Sequence, residues 1–565
     1  MLKDLHKKYQ LLLIVLFYLV ISIVMYGFYK RSFIWAGDDV YYQFQRIMGL
    51  PANYKDGILY SNISPFNFGT FGYGVNIFYP WLTLIPFNIA FLIFGSWISA
   101  YYKTMLFYFF ASLMISHYSM KRFSGSTRMA IFFAIVYNFS TYRLIEMYTR
   151  MALAEYLATI FLPLCFLGFY ELFFGDGKQW QPLAIGMSLI ILSHILSVFL
   201  CLIMFGLIMI LFMFKLKFSK VRLINFSKAV IATIGCTLIF TVPFLLEESF
   251  QKYGVPDRQI LQGQNLQKVI MASLEDNSLQ VMSRGTYNIG SILLITIVLG
   301  LILFLKLPLL YKNIYITFVL TFILTTDIFP WKVFQNTPIE VIQFPYRFFM
   351  FVTLFGTVIM AWILTWIAHK LSYKSFSVMV LLVALVTGGL WMNSISRSSG
   401  KRLGNPQAGI TEEMIKNNKI IDTYLEQYVP KNSQKMLYTK TKHQININGS
   451  SMIQKPKAVG DGNDFYITNV KKGDVIDLPF VRYKYTKAKF NNKQVPIGLS
   501  NRGSVQIIAP NNAKSVTIRM SYGNQRLSNI IFLLTVVSWI WVLGSKWFVE
   551  TYRFYLTKDD MWIEL

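Results

Sequence analysis

A polytopic α-helical membrane domain of about twelve spans, carrying one β-sandwich outside the membrane, is the fold class that three observations predict. Of 565 residues, 55% are hydrophobic and the mean hydropathy is +0.46, well above an ordinary soluble chain. The apolar residues gather in blocks of about 15–22 nearly free of charge, the length that crosses a hydrocarbon layer of ~30 Å. One long stretch, 394–527, breaks this pattern with alternating apolar and polar residues and frequent turn signals.

The first block, Leu11–Tyr29, follows a basic start (Lys3, Lys7, Lys8). It is long for a signal-peptide core and no small-x-small site follows, so it reads as a retained signal anchor. Counting Lys and Arg in the short loops then sets the orientation, with the N-terminus inside. Residues 30–98 form an outer loop containing an apolar, proline-broken segment, Ile77–Gly95, that reads as interfacial or re-entrant. Spans follow at 100–118, 129–139 and 152–171, the last two joined by a short outer loop with Arg143, Glu146 and Arg150. Spans at 183–196 and 198–214 end at Lys215, Lys217, Lys220 and Arg222, the clearest inner loop. Further spans at 226–246, 289–305, 313–328, 347–368 and 376–393 lead out to the 394–527 domain. A last span, 528–547, returns to a tail with Lys546, Arg553 and Lys558, so both termini are cytoplasmic. Three units result: a transmembrane domain 1–393, an extracytoplasmic β-rich domain 394–527, and a final helix with its tail, 528–565.

The outer domain shows strand alternation at Val475-Ile476-Asp477-Leu478 and Ser504-Val505-Gln506-Ile507-Ile508, with turns such as Asn448-Gly449 and Lys472-Gly473-Asp474. A helical stretch near Thr411–Tyr428 is expected before it. It carries 22 Lys and Arg against 8 Asp and Glu, a net of +14, about half of the chain's +27. Such a surface suits an anionic neighbour, lipid headgroups or a phosphate-rich wall polymer, or is simply a solvated basic face. The three cysteines, Cys165, Cys201 and Cys236, all lie in apolar blocks, so disulfides play no part in the outer domain.

Charges beside apolar spans are costly and are where function is sought. Asp38 and Asp39 follow the first span in Gly37-Asp38-Asp39-Val40-Tyr41-Tyr42-Gln43-Phe44-Gln45-Arg46. Adjacent side chains diverge, so one of the two faces a given pocket, as a general base, a metal ligand or an ion site, or else caps the following helix. A second cluster, Glu146, Tyr148, Arg150 and Glu155, enters the fourth span; Arg150 and Glu155 are spaced to pair loosely across a turn. Arg347, in Gln343-Phe344-Pro345-Tyr346-Arg347, offers a permanent charge at an outer mouth, suited to a phosphate or to anchoring. His194 stands where two spans meet; the other histidines are scattered and give no metal-site spacing. P-loop, GxGxxG, GxSxG and CxxC patterns are missing, which argues against a transport ATPase and against use of cytosolic sugar nucleotides.

Taken in order, the GDD loop, YPWL, YTRMALAE, SHILS, QFPYRF and the β-domain run VIDLPFVRYKYTKAKFNNKQV resemble the YfhO-like bacterial membrane glycosyltransferases. They equally resemble the related 6-pyruvoyl-tetrahydropterin-synthase-related membrane proteins, both of the GT-C superfamily, over nearly the whole chain. The resemblance implies inverting transfer of a sugar from a polyprenyl-phosphate donor to a cell-surface acceptor, teichoic acid being one candidate, on the outer face. It implies Asp39 as base, with Asp38 at a variable position, and Arg150, Glu155, Arg347 and His194 lining the donor cavity. Glu146 and Glu155 compete for the second acidic position. No cofactor is called for, a divalent metal being left open, and no nucleic acid. The competing readings are a transporter or flippase of lipid-linked saccharides, which calls for midplane charges and repeated halves, and a non-enzymatic envelope-assembly scaffold.

Overall fold

A computed structural model describes residues 2–50, 61–254, 258–279, 285–399, 409–417, 419–420 and 426–545. The helices of ten or more residues, numbered along the chain, are α1 (Leu2–Tyr29), α2 (Val40–Gly49), α3 (Ile85–Phe94), α4 (Trp97–Ser124), α5 (Thr127–Asn138), α6 (Leu153–Phe173) and α7 (Gln181–Ile191). They continue as α8 (Ile195–Leu211), α9 (Lys220–Glu248), α10 (Gly290–Ile302), α11 (Leu309–Leu324), α12 (Phe349–Ala368), α13 (Tyr373–Ser399) and α14 (Gln525–Leu543). Among the described residues seven, α1, α4, α6, α9, α12 (extended back to Pro345), α13 and α14, are long and apolar enough to cross a membrane. The expected spans at 183–196, 198–214, 289–305 and 313–328 are the shorter apolar helices α7, α8, α10 and α11. The basic tail expected after the last span, with Lys546, Arg553 and Lys558, lies outside the described residues.

The Ile77–Gly95 segment contains α3, whose ten residues rise only ~15 Å before Gly95 ends the helix in a left-handed conformation. Its exposed face, Ile89, Leu92, Ile93 and Phe94, is apolar.

The third span differs from the expectation. α5 stops at Asn138, but the chain continues through a four-residue α-turn, Thr141–Leu144, and a π-helical turn, Ile145–Thr149. Asn138 Nδ2 donates to Ser116 Oγ (3.4 Å) and Arg143 Nη2 to Ser112 Oγ (2.9 Å), so the break sits against the middle of α4. Residues 143–150 are therefore not an exposed loop. Arg143 and Glu146 are fully buried, as they must be for irregular backbone at this depth to keep its polar groups satisfied. Arg143 also donates to Asn138 Oδ1 (2.6 Å) and Thr159 Oγ1 (3.1 Å), a buried cation satisfied by neutral oxygens.

The C-terminal module is an all-antiparallel sandwich. Its strands are β3 (Gln444–Ile447), β4 (Ser450–Ile453), β5 (Lys457–Val459), β6 (Gly462–Val470), β7 (Val475–Val481), β8 (Thr486–Phe490), β9 (Lys493–Val495), β10 (Gly498–Leu499), β11 (Ser504–Ile508) and β12 (Ala513–Tyr522). One sheet runs β10-β11-β7-β3-β4 and the other β5-β6-β12-β8-β9. The expected helix over 411–428 is, among the described residues, only Glu412–Lys416 and a 3₁₀ turn at Glu426–Tyr428.

The sandwich is not a separate bead. β1 (Phe33–Ile34), just after α1, pairs antiparallel with β2 (Ile410–Thr411), just before the sandwich. Phe68, Phe71, Tyr73, Ile77 and Phe78 of the first loop share one apolar core with Phe465, Phe480 and Tyr483. Tyr483 Oη accepts from Gly74 N (2.8 Å) and donates to Tyr428 O (2.9 Å). Gly72 lies beneath the Phe480 ring, where a β-carbon would overlap it, and its φ of +72° also favours glycine.

Glu247, at the end of α9, fastens the same joint. Fully buried, its carboxylate accepts from Tyr253 Oη (2.7 Å), Tyr522 Oη (2.9 Å) and the Lys484 amide (3.0 and 3.1 Å). Glu247→Ala strands these donors, each at a cost of ~1–3 kcal/mol. A clear drop in the thermal unfolding midpoint in detergent micelles is expected, with a smaller drop for Glu247→Gln. A Glu247→Ala protein that melts with its parent would contradict this role.

Candidate active site

Asp39 is carried to the helical core by its backbone. The amides of Asp38 and Asp39 donate to the carbonyls of Thr149 (3.3 Å) and Arg150 (3.0 Å), laying the first loop on the end of the broken span. This approach needs Gly37, because a β-carbon there would overlap that of Met151. Met151 itself holds φ +58°, a strained conformation of the kind that functional sites retain.

Asp39 occupies the N-cap position of α2 yet makes no capping hydrogen bond, so its carboxylate is not used to finish the helix. It is half-buried, whereas Asp38 faces solvent. Burial raises the Asp39 pKa above the ordinary carboxylate range; Arg150 opposes the rise, Asp38 and Glu155 add to it, and Arg347 opposes it weakly.

Glu155, in the first turn of α6, is the hub of the cluster. Its Oε2 accepts from Arg150 Nη1 (2.8 Å) and lies 3.6 Å from Arg347 Nε, while Oε1 accepts from Tyr142 Oη (3.0 Å). Arg150 Nη1 also donates to Glu146 at 2.7 and 3.0 Å. The loose pairing expected of Arg150 and Glu155 is thus a direct ion pair. The Arg150 guanidinium stands 5.5 Å from the Tyr346 ring and 5.8 Å from that of Tyr287, two rings stacked 3.7 Å apart. Arg347 donates from Nη1 to Ile342 O (2.8 Å) and Gln343 Oε1 (2.9 Å). Its Nε is buried with no hydrogen-bond partner, the contact to Glu155 being too long.

His194 caps the α8 end of the α7–α8 turn and shares a hydrogen bond between Nδ1 and Ser197 Oγ (2.9 Å). The charges that act on it are those of Glu155, Arg347, Arg150 and Arg46, so it stands near the same cluster. Tyr148 is elsewhere. Its ring is fully buried edge-on to Trp35 (4.8 Å) and Tyr29 (6.0 Å), a packing position rather than a ligand-facing one.

Sequence reasoning did not single out Arg46 or Tyr79. Arg46 lies two helical turns beyond Asp39 on α2, and this seven-residue spacing was the available signal. Its guanidinium lies 3.7 Å from the centre of the Tyr79 ring and bonds Gln43 Oε1 (2.9 Å) and the Pro80 carbonyl, while Nε is buried without a partner. Tyr79 is in turn 6.2 Å from His194 and 6.4 Å from Tyr428 beside the sandwich. Among the described residues no group of three or more His, Cys, Asp or Glu is placed to hold a metal ion; the acids of the recess face arginines instead.

The fold and this cluster define a multi-pass membrane protein with buried carboxylates and guanidiniums where its first loop meets the helical body. The chain belongs to the 6-pyruvoyl-tetrahydropterin synthase related family of membrane proteins, whose model matches residues 76–399. It is 25% identical over 346 residues to a protein of Lactococcus lactis subsp. cremoris (strain MG1363) described as uncharacterized, covering 58% of this chain and 55% of that one. The chain thus spans about half the length of that relative. No solved structure matches it.

Glu155→Ala removes the carboxylate between two buried guanidiniums, and breaking such a pair costs ~3–5 kcal/mol. Thermal unfolding in detergent should show a marked loss for Glu155→Ala and a slight one for Asp39→Ala, which breaks no ion pair. Equal midpoints for the two variants would remove Glu155 from its place as hub.

Proposed function

We propose that the recess transfers a sugar from a polyprenyl-phosphate donor to a hydroxyl of an anionic surface glycopolymer, with the sandwich on the outer face and both termini cytoplasmic. One observation carries the reading: Arg150 and Arg347 converge on Glu155, and Arg46, whose charge acts with theirs on His194, keeps a buried Nε–H without a partner. Buried donors without partners are rare in folded proteins and suit an anion that arrives from outside. Asp39, half-buried with an elevated pKa, is the nearby proton acceptor.

In one displacement the acceptor oxygen bonds to the anomeric carbon as that carbon's bond to the phosphate oxygen breaks. The bonding pair leaves with the polyprenyl phosphate, whose new charge meets Arg150 and Arg347. The acceptor's proton passes to Asp39. Glu155 and Glu146 hold Arg150 in place, and the stacked Tyr287 and Tyr346 offer an apolar face beside it. The +14 of residues 394–527 supports an anionic acceptor, teichoic acid being an example.

The test is turnover of a polyprenyl-phosphate hexose by the purified full-length chain in liposomes, with a teichoic acid acceptor. Asp39→Asn is expected to lower transfer at least 100-fold, as loss of a general base does, and Arg347→Ala to raise the KM for the donor. Transfer surviving in correctly inserted Asp39→Asn would exclude Asp39; lipid-linked sugar flux without transfer would favour a flippase.

The pH profile gives a second check. Asp39 works as the carboxylate, so turnover falls as pH drops through its raised pKa. Asp38 contributes to that elevation, so Asp38→Asn should move the acid limb to lower pH. A limb that stays put, or moves up, would assign it to another group.

A further inference from the structure

An apolar cavity lies toward the ends of the helices that point away from Glu155 and Arg347. It encloses about 350 Å³ between α4, α6, α8, α11 and α12. Its deep end is at Pro163 and Leu354, near the middle of α6 and in the site-side half of α12. Its mouth is at Phe174, Lys215, Lys217 and Leu309, where these helices end away from Glu155 and Arg347. From Pro163 to Phe174 is eleven helical steps, ~16 Å, about one leaflet of hydrocarbon.

The chain at the mouth marks the headgroup layer. In Phe214-Lys215-Leu216-Lys217-Phe218 the aromatic rings are almost fully exposed, 95% for Phe214 and 82% for Phe218, and alternate with lysines. Such rings sink into the bilayer surface while lysines reach headgroup phosphates. Lys215 Nζ lies 5.8 Å from the Phe212 ring, itself part of the cavity wall, so the cation is held beside the opening. An apolar slot one leaflet deep with two cations at its rim fits one ligand class.

We propose that this cavity binds an anionic phospholipid, one acyl chain in the slot and the phosphate between Lys215 and Lys217. The site is separate from the charged recess and does not depend on the reading of that recess. The lipid wedges α6 and α11, giving the helical body a dependence on lipid charge.

Native mass spectrometry of the full-length chain in detergent, with equal dioleoylphosphatidylglycerol and dioleoylphosphatidylcholine, tests it. The parent should retain the anionic lipid about thirtyfold better, on the scale of two lysines near a charged headgroup. Lys215→Gln/Lys217→Gln should lose that preference, and Lys215→Arg/Lys217→Arg should keep it. Ile314→Trp, which fills the slot, should weaken retention of both lipids. An unchanged preference in the double glutamine variant, or unchanged retention in Ile314→Trp, would overturn the proposal. So would stoichiometric displacement by a polyprenyl phosphate, which would assign the slot to a long isoprenoid chain.

Discussion

The site depends on one buried carboxylate. Glu155 receives Arg150 and Tyr142 and faces Arg347, three groups brought from the broken span and from the segment before α12. A carboxylate taken out of water is tolerable only when its oxygens are bonded and its charge is matched. That condition draws the three elements to one point. Glu146 makes the same demand of Arg150 from the other side, so this guanidinium has little freedom to leave.

The π-helical turn is how the sequence satisfies that demand. A regular helix over 141–155 would keep Glu146 beside Arg150 but turn Glu155 away from it by about 140°. The π turn and the sharp bend at Met151 instead reset the direction of the chain before α6 begins. The same bend leaves the carbonyls of Thr149 and Arg150 open to the amides of Asp38 and Asp39. The irregular backbone that makes the ion cluster also seats the first loop, and the first loop is built into the core of the sandwich.

Much of this was legible in the sequence, and the parts that were not have physical reasons. The apolar blocks and the alternating strands of 444–522 follow from periodicity, which membrane thickness and sheet pleat enforce directly. Glu155, Arg150, Arg347 and His194 stood out as costly charges at span ends, and the structure brings them together. The depth of residues 143–150 was not legible, because Arg143 looks like a loop charge until Ser112, Asn138 and Thr159 are seen around it. Tyr148, close to Arg150 in sequence, points into packing because residues two apart face opposite sides of a helical turn. Arg46 carried only its seven-residue spacing from Asp39 as a signal, and Tyr79 was hidden because its meeting with Arg46 depends on how the loop 61–79 folds under the sandwich, a long-range event.

The most direct measurement of the central claim is an experimentally determined structure of the full chain with a polyprenyl phosphate bound. The account predicts the phosphate within hydrogen-bond distance of Arg150 and Arg347, with the Asp39 carboxylate facing the same space. Phosphate density away from these arginines, or an Asp39 separated from it by packed helices, would contradict it.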